Sequence, residues 1–224
     1  NFVEGETDSA MEDTTTNGCF IANQSGAYSG VIENVYIYNN IFTYSRGKAI
    51  IFEDVANCYA IYNTIYAFNP YLTAWQTLIS TEYGSNNHIV NNIIYNGADG
   101  TPSNRLTYFN NGATEPAEMD YNLWYGANAG ALMWTFWRTG SDYDQYMQSD
   151  WAGYRSDYGF DAHSPTPANP LFVSPATDDF SLQSESDAIG AAKVITSPFA
   201  IDIDYYGNPR SATTPTIGAI EYIP

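Results

Sequence analysis

The sequence predicts an all-β fold: a right-handed parallel β-helix with an irregular, aromatic-rich C-terminal cap. Three observations carry this. Two phrases interleave with a period of about 28 residues. Within each phrase, apolar β-branched residues alternate with Tyr and polar residues, as in short strands. No amphipathic helix of that length is visible over residues 18–125.

The first phrase is VYIYNNIF at 35–42, which returns as AIYNTIY at 60, HIVNNIIY at 88 and DYNLWYG at 120. Aligned on Asn39, Asn63, Asn91 and Asn122, the copies step by 24, 28 and 31 residues. The second phrase is GCFIANQS at 18, then GKAIIFED at 47, WQTLISTE at 75 and NRLTYFNN at 104; these starts are 29, 28 and 29 apart. No two-residue Asn-Gly turn separates paired strands, which disfavours a hairpin meander. A propeller blade needs about 40 residues and four strands, so it fits worse than a solenoid with one coil per period. Asn is depleted in strands but tolerates left-handed backbone, so the Asn column is predicted to turn the corners of successive coils. Its amides would bond from coil to coil as a structural ladder.

After residue 126 the pattern breaks. SDYDQYMQSDW predicts a short helix with Ser141 or Asp142 as N-cap. Pro165, Pro167 and Pro170, then NPLFV and DDFSL, predict short strands or extended loops that close the C-terminal end of the solenoid. No linker divides the chain. The expected organisation is one domain over 1–224, with coils at about 18–125 and an insertion and cap at about 126–224. The chain lacks an initiator Met and a signal peptide, which suggests a mature form or the C-terminal part of a longer protein.

Charge narrows the partners. With 25 acids against 7 bases the net charge is −18, which argues against nucleic acid or an anionic membrane. It fits a protein that binds cations or faces a salty medium. No apolar run approaches the ~18 residues of a membrane span. Cys19 and Cys58 are too few for a disulfide framework and are expected to be free, buried thiols. No C-x-x-C, phosphate loop or H-E-x-x-H motif is present, which removes zinc and nucleotide readings.

The C-terminal half carries further motifs. DYNLWYG (120–126) is followed by Trp151, GFDAHS (159–164), NPLFV (169–173), DDFSLQSESDAIG (178–190), DYYGNPR (204–210) and TIGAIEY (216–222). In order and spacing these resemble the end of a group of bacterial, secreted right-handed β-helix proteins. That group includes polysaccharide lyases and β-helix glycoside hydrolases. Asp187, Gly190-Ala191, Thr216 and Ile220 depart from its pattern, at positions that read as cap packing. The resemblance implies a secreted, carbohydrate-active protein whose partner is a polysaccharide or oligosaccharide.

It also implies a substrate lying across the sheet formed by the second phrase. Aligned by column, Ser25, Asp54, Glu82 and Asn110 stack at one end of that sheet, with Gln24, Glu53, Thr81 and Phe109 beside them. Adjacent coils lie ~4.8 Å apart. Asp54 and Glu82 therefore become candidate catalytic carboxylates at the ~5–5.5 Å separation of a retaining glycosidase. A slip of one residue would exchange Asp54 for Glu53. Asp54, Glu82 and Asn110 equally supply hard oxygen ligands for Ca²⁺. In the lyases of this resemblance Ca²⁺ neutralises a uronate and a base abstracts the proton. Lys48 is the candidate base, with Arg46 and Arg105 nearby and Arg105 placed on the substrate. Trp134, Trp137 and Tyr143 are candidate sugar platforms, in a segment where Tyr146, Trp151 and Tyr154 could equally be core. His88 and His163 face no evident Ser or Cys nucleophile, and His163 reads as a structural, hydrogen-bonded histidine. The competing reading is a non-catalytic β-helix: a glycan-binding module, an adhesin or an extracellular fibre subunit, with self-assembly left open.

Overall fold

Short apolar strands that cannot bury a face alone do so by stacking on their counterparts one coil away. In the computed structural model the described residues are 2–4, 19–22, 32–44, 49–67, 77–97, 105–109, 115–127, 132–137 and 142–224. They form three large, mainly parallel sheets and two two-stranded ones, Ile32–Glu33 with Val55–Ala56 and Phe172–Ser174 with Asp179–Leu182. The six-stranded sheet runs Cys19–Ala22, Ile50–Glu53, Thr77–Glu82, Arg105–Phe109, Leu132–Trp137 and Tyr143–Met147; only the last pair is antiparallel. The four-stranded sheet stacks Tyr36–Tyr38, Tyr59–Ile61, His88–Val90 and Glu118–Asp120. The five-stranded sheet stacks Phe2–Glu4, Ile41–Tyr44, Thr64–Ala67, Ile93–Asn96 and Leu123–Gly126. Coil 49–67 visits each of the three large sheets once, so one period makes one coil, as the repeat predicts. No helix among the described residues is long and apolar enough to cross a membrane.

The Asn doublets divide two tasks. The ladder is Asn40, Asn63, Asn92 and Asn122, with each amide nitrogen donating to the next Oδ1 at 3.0, 3.0 and 3.1 Å. The left-handed corner is the residue before each: Asn39, Tyr62, Asn91 and Tyr121, with φ between 53° and 61°. The column expected from sequence therefore mixed corner residues (Asn39, Asn91) with ladder residues (Asn63, Asn122). Two further corners use the same device, Asn34, Asn57 and Asn86 at one and Asp54 and Tyr83 at the other.

The ladder stops at Asn122 and is closed by other residues. Ser164 Oγ accepts the Asn122 backbone N–H at 2.8 Å. Buried Asp161 accepts from Ser164 Oγ, Tyr154 Oη, Trp124 Nε1 and Asn122 Nδ2. Burial pushes the Asp161 carboxyl up to about 6, against the pull of these four donors.

The expected helix is corrected. Tyr143–Met147 is a strand, because its alternating residues extend the six-stranded sheet opposite Trp137–Leu132. The helix follows at Trp151–Tyr158 and ends at left-handed Gly159. Its Tyr154 stacks on Trp134 at 4.1 Å, covering the last coil. The cap is thus aromatic as expected, but the chain beyond it does not stay at the end. Residues 168–222 turn back along the outer flank and build a second core. Ile61, Val90, Ile93 and Leu123 from the coils meet Phe172, Phe180, Ile201 and Ile217 from this tail.

All four corner residues in the Asn39 column hold the C-terminal segment. Asn39 donates to Ile203 O at 2.7 Å and accepts from Arg210 at 2.8 Å. Tyr62 Oη and Asn91 Nδ2 both donate to Lys193 O at 2.7 Å. Tyr121 stacks on His163, whose Nδ1 lies 2.6 Å from Asp120 Oδ2, so His163 is hydrogen-bonded as expected. Cys58 is a free, buried thiol that burial pushes up; the Cys19 side chain lies outside the described residues.

Candidate functional site

The outward face of the six-stranded sheet follows from parity. Phe52, Phe109 and Phe136 are register partners of the inward face and lie in the core, while Ile51, Ser80, Met133 and Thr135 at the alternate positions are buried as well. Side chains alternate along a strand, so Glu53 and Glu82 stand on the opposite face. They are direct partners in the register, and both are half-buried. Ser80 Oγ donates to Glu82 Oε1 at 3.3 Å. The row continues across the sheet. Thr81 pairs with Phe109 and Phe109 with Phe136, so the next residue along brings position 137 into the Glu82 row. Trp137 then pairs with Tyr143. Carboxylates at one end and aromatic positions at the other share one line perpendicular to the strands. From Glu53 to Tyr143 this line spans four strand steps, about 19 Å.

The expected site residues distribute as follows. Glu82 keeps its place, but its partner is Glu53. Asp54 is the corner residue after it, at φ 51°, with its N–H donating to Glu82 O at 2.7 Å. The sequence alignment had set 54 against 82; the structure pairs Ile50 with Ile79, one residue further. The shift is forced because a one-residue slip would turn the core face outward. Trp134 is corrected from platform to core, being fully buried against Tyr154 and Trp124. Tyr143 is half-buried on the outward face. Trp137 and Arg105 are described in their backbones alone, while Lys48, Arg46, Asn110, Ser25 and Gln24 lie outside the described residues. Among the described residues no group of three or more His, Cys, Asp or Glu is placed to hold a metal ion.

A second polar cluster was not visible in the sequence. On the outward face of the four-stranded sheet, Tyr36, Tyr59 and His88 stack at 4.9 and 4.4 Å. Glu118 follows His88 in register. Its Oε2 lies 3.4 Å from His88 Nδ1, and its Oε1 accepts from Lys193 Nζ at 2.5 Å. The hydrogen bond with His88 and then the bond and charge of Lys193 outweigh partial burial, holding the Glu118 carboxyl at about 2. Lys193 is 75 residues from Glu118, and no motif in the sequence links the two.

A family model described as the right handed beta helix region matches residues 2–137. The chain belongs to the right-handed β-helix family. Comparisons with curated proteins and with solved structures returned no match. In this β-helix the matched span holds Glu53, Glu82 and the Asn ladder. The cap helix and the flank tail with Lys193 follow it.

Proposed function

We propose that this β-helix is a glycan-active protein that binds a polysaccharide along the outward face of its six-stranded sheet and cleaves it by glycoside hydrolysis. One observation carries the reading: the paired carboxylates Glu53 and Glu82 share a row with the aromatic positions 137 and 143. Strand spacing of ~4.8 Å sets the two carboxylates near the ~5–5.5 Å of a retaining mechanism. One acts as nucleophile on the anomeric carbon, and the other protonates the leaving oxygen and then activates water. Tyr143 offers a flat ring to sugar C–H faces at the far end of the row. The acidic, lysine-poor composition supports a secreted or cell-surface setting.

The test is incubation with a panel of plant and algal polysaccharides, following reducing ends and the absorbance of unsaturated uronates, with and without EDTA. The expected result is new reducing ends without absorbance, lost by at least ~100-fold in Glu53→Gln and in Glu82→Gln. Absorbance that EDTA abolishes would assign a calcium-dependent lyase instead. Binding without cleavage, weakened in Tyr143→Ala, would make the chain a glycan-binding module. Activity unchanged in both carboxylate variants removes the catalytic assignment.

A further inference from the structure

A cavity of about 270 Å³ lies between the four-stranded sheet and tail residues 193–198. Its floor is rigid, because Ile61 and Val90 belong to strands paired on both sides. Its roof is pinned at both ends. Lys193 is clamped by Asn91, which donates to its carbonyl and accepts from its N–H at 2.9 Å, and by Tyr62. Beyond the arch, Phe199 packs edge-on against Tyr36 and Tyr38, and Ile201 N–H returns to Ile195 O at 3.3 Å. The cavity therefore exists before any ligand arrives, which lowers the ordering cost of binding.

Its chemistry is mixed and internally neutral. Glu118 and Lys193 offset each other, and each keeps bonding capacity beyond their mutual contact. Glu118 accepts from Lys193 Nζ and lies 3.4 Å from His88 Nδ1, so the imidazole edge adds a further polar contact to the lining. Thr196 and Ser197 add exposed hydroxyls. Val194, Ile195 and Pro198 complete an apolar wall. Charged and hydroxyl groups thus share the lining with apolar side chains, which suits a ring with hydroxyls on its edge and C–H groups on its faces. Anions meet Glu118 and the net charge of −18, and cations meet Lys193. The volume sits below the 300–1,000 Å³ of drug-sized ligand sites, which fits one ring and not an oligomer.

We infer that this flank cavity is a binding site for a single neutral sugar unit, held by Glu118, Lys193 and His88. It lies on a different sheet from Glu53 and Glu82 and does not depend on the function proposed for them.

The test uses the whole chain and free monosaccharides. Imidazole signals of His88 are followed by NMR while glucose, galactose, mannose, xylose or arabinose is added, with galacturonate and glucosamine as charged controls. His163→Gln removes the other imidazole and assigns the signal. The expected result is a saturable shift with at least one neutral sugar, and none with the charged controls. Glu118→Gln and Lys193→Met should each weaken binding about tenfold or more. Ser197→Trp, at an exposed lining position, should block the cavity while leaving the ion pair in place. If no neutral sugar shifts the signal, if only a charged sugar does, or if Ser197→Trp binds normally, the inference fails. Because the readout is monosaccharide binding at His88, its failure leaves the polysaccharide cleavage assay unaffected.

Discussion

The doublets Asn39-Asn40 and Asn91-Asn92 each use their two residues in opposite directions. The first takes positive φ and reaches out to the tail; the second reaches in and joins the ladder. The ladder position is therefore not redundant with the corner, and Asn63, which follows Tyr62, illustrates what it holds. Its Nδ2 donates to Ile37 O at 2.8 Å, and its Oδ1 accepts the Asn40 backbone N–H at 3.1 Å. Both partners are buried within the stack. Asn63→Ala strands them without removing their cost, about 1–3 kcal/mol for each group. The expected loss is roughly 2–4 kcal/mol, read as a lower denaturant midpoint at unchanged slope. A change under ~0.5 kcal/mol would mean that the ladder is decorative. The doublet was legible as a repeat, but the division of labour was not. At two corners Tyr62 and Tyr121 hold the left-handed position, so the identity of the corner residue is not constant.

The tail behaves as an element clamped at a few points. Buried Arg210 is the tightest clamp. It donates to Asn39 Oδ1, Gly218 O, Ala219 O and Thr216 O, pairs with Glu221, and lies 3.8 Å over the Tyr62 ring. No other side chain presents five fixed donors in one plane. Arg210→Met leaves Glu221 buried without its cation and should cost about 3–5 kcal/mol. Hydrogen exchange locates the damage. Amides of 201–221 should lose protection, while interior strands such as Ile93–Asn96 keep theirs. Equal loss in both would mean that tail and coils form one cooperative unit. The DYYGNPR and IGAIEY motifs thus serve packing, as read from the sequence, though on the flank of the coils. Gly218 belongs to the same clamp. Its φ is +96°, and a Cβ there would sit 2.6 Å from Ile93 Cδ1. Gly218→Ala should therefore also loosen the tail.

For the whole molecule, two carboxyls pull stability in opposite directions with pH. Glu118 has a folded pKa of about 2, below its ordinary 4.5, so its contribution is present above 4.5 and fades as pH falls towards 2. Asp161 has a folded pKa of about 6, above its ordinary 3.8, so its contribution is complete below 3.8 and fades as pH rises through 6. Lowering pH from 7 also relieves the repulsion of a −18 charge. The thermal midpoint should climb on acidification from pH 7, pass a maximum near pH 4.5, and then fall. In Glu118→Gln the acid limb should be shallower. A midpoint that only rises towards pH 7 would contradict the assignment of Asp161.

The sequence alone determined the solenoid, because its period, strand alternation and Asn repeats are local signals that survive in one dimension. It also brought Glu82 and the aromatic positions 137 and 143 forward as candidates. Only the tertiary structure decided the register, Glu53 opposite Glu82 and Asn40 in the ladder. Turn lengths vary from coil to coil, and one residue of slip reverses every side chain. Trp134 could not be told from a platform in a segment crowded with aromatics until the helix Trp151–Tyr158 covered it. The return of the tail along the flank, and with it the meeting of Lys193 and Glu118, had no signature at all. It rests on contacts between residues far apart in the chain, chosen by which apolar faces the coils leave uncovered.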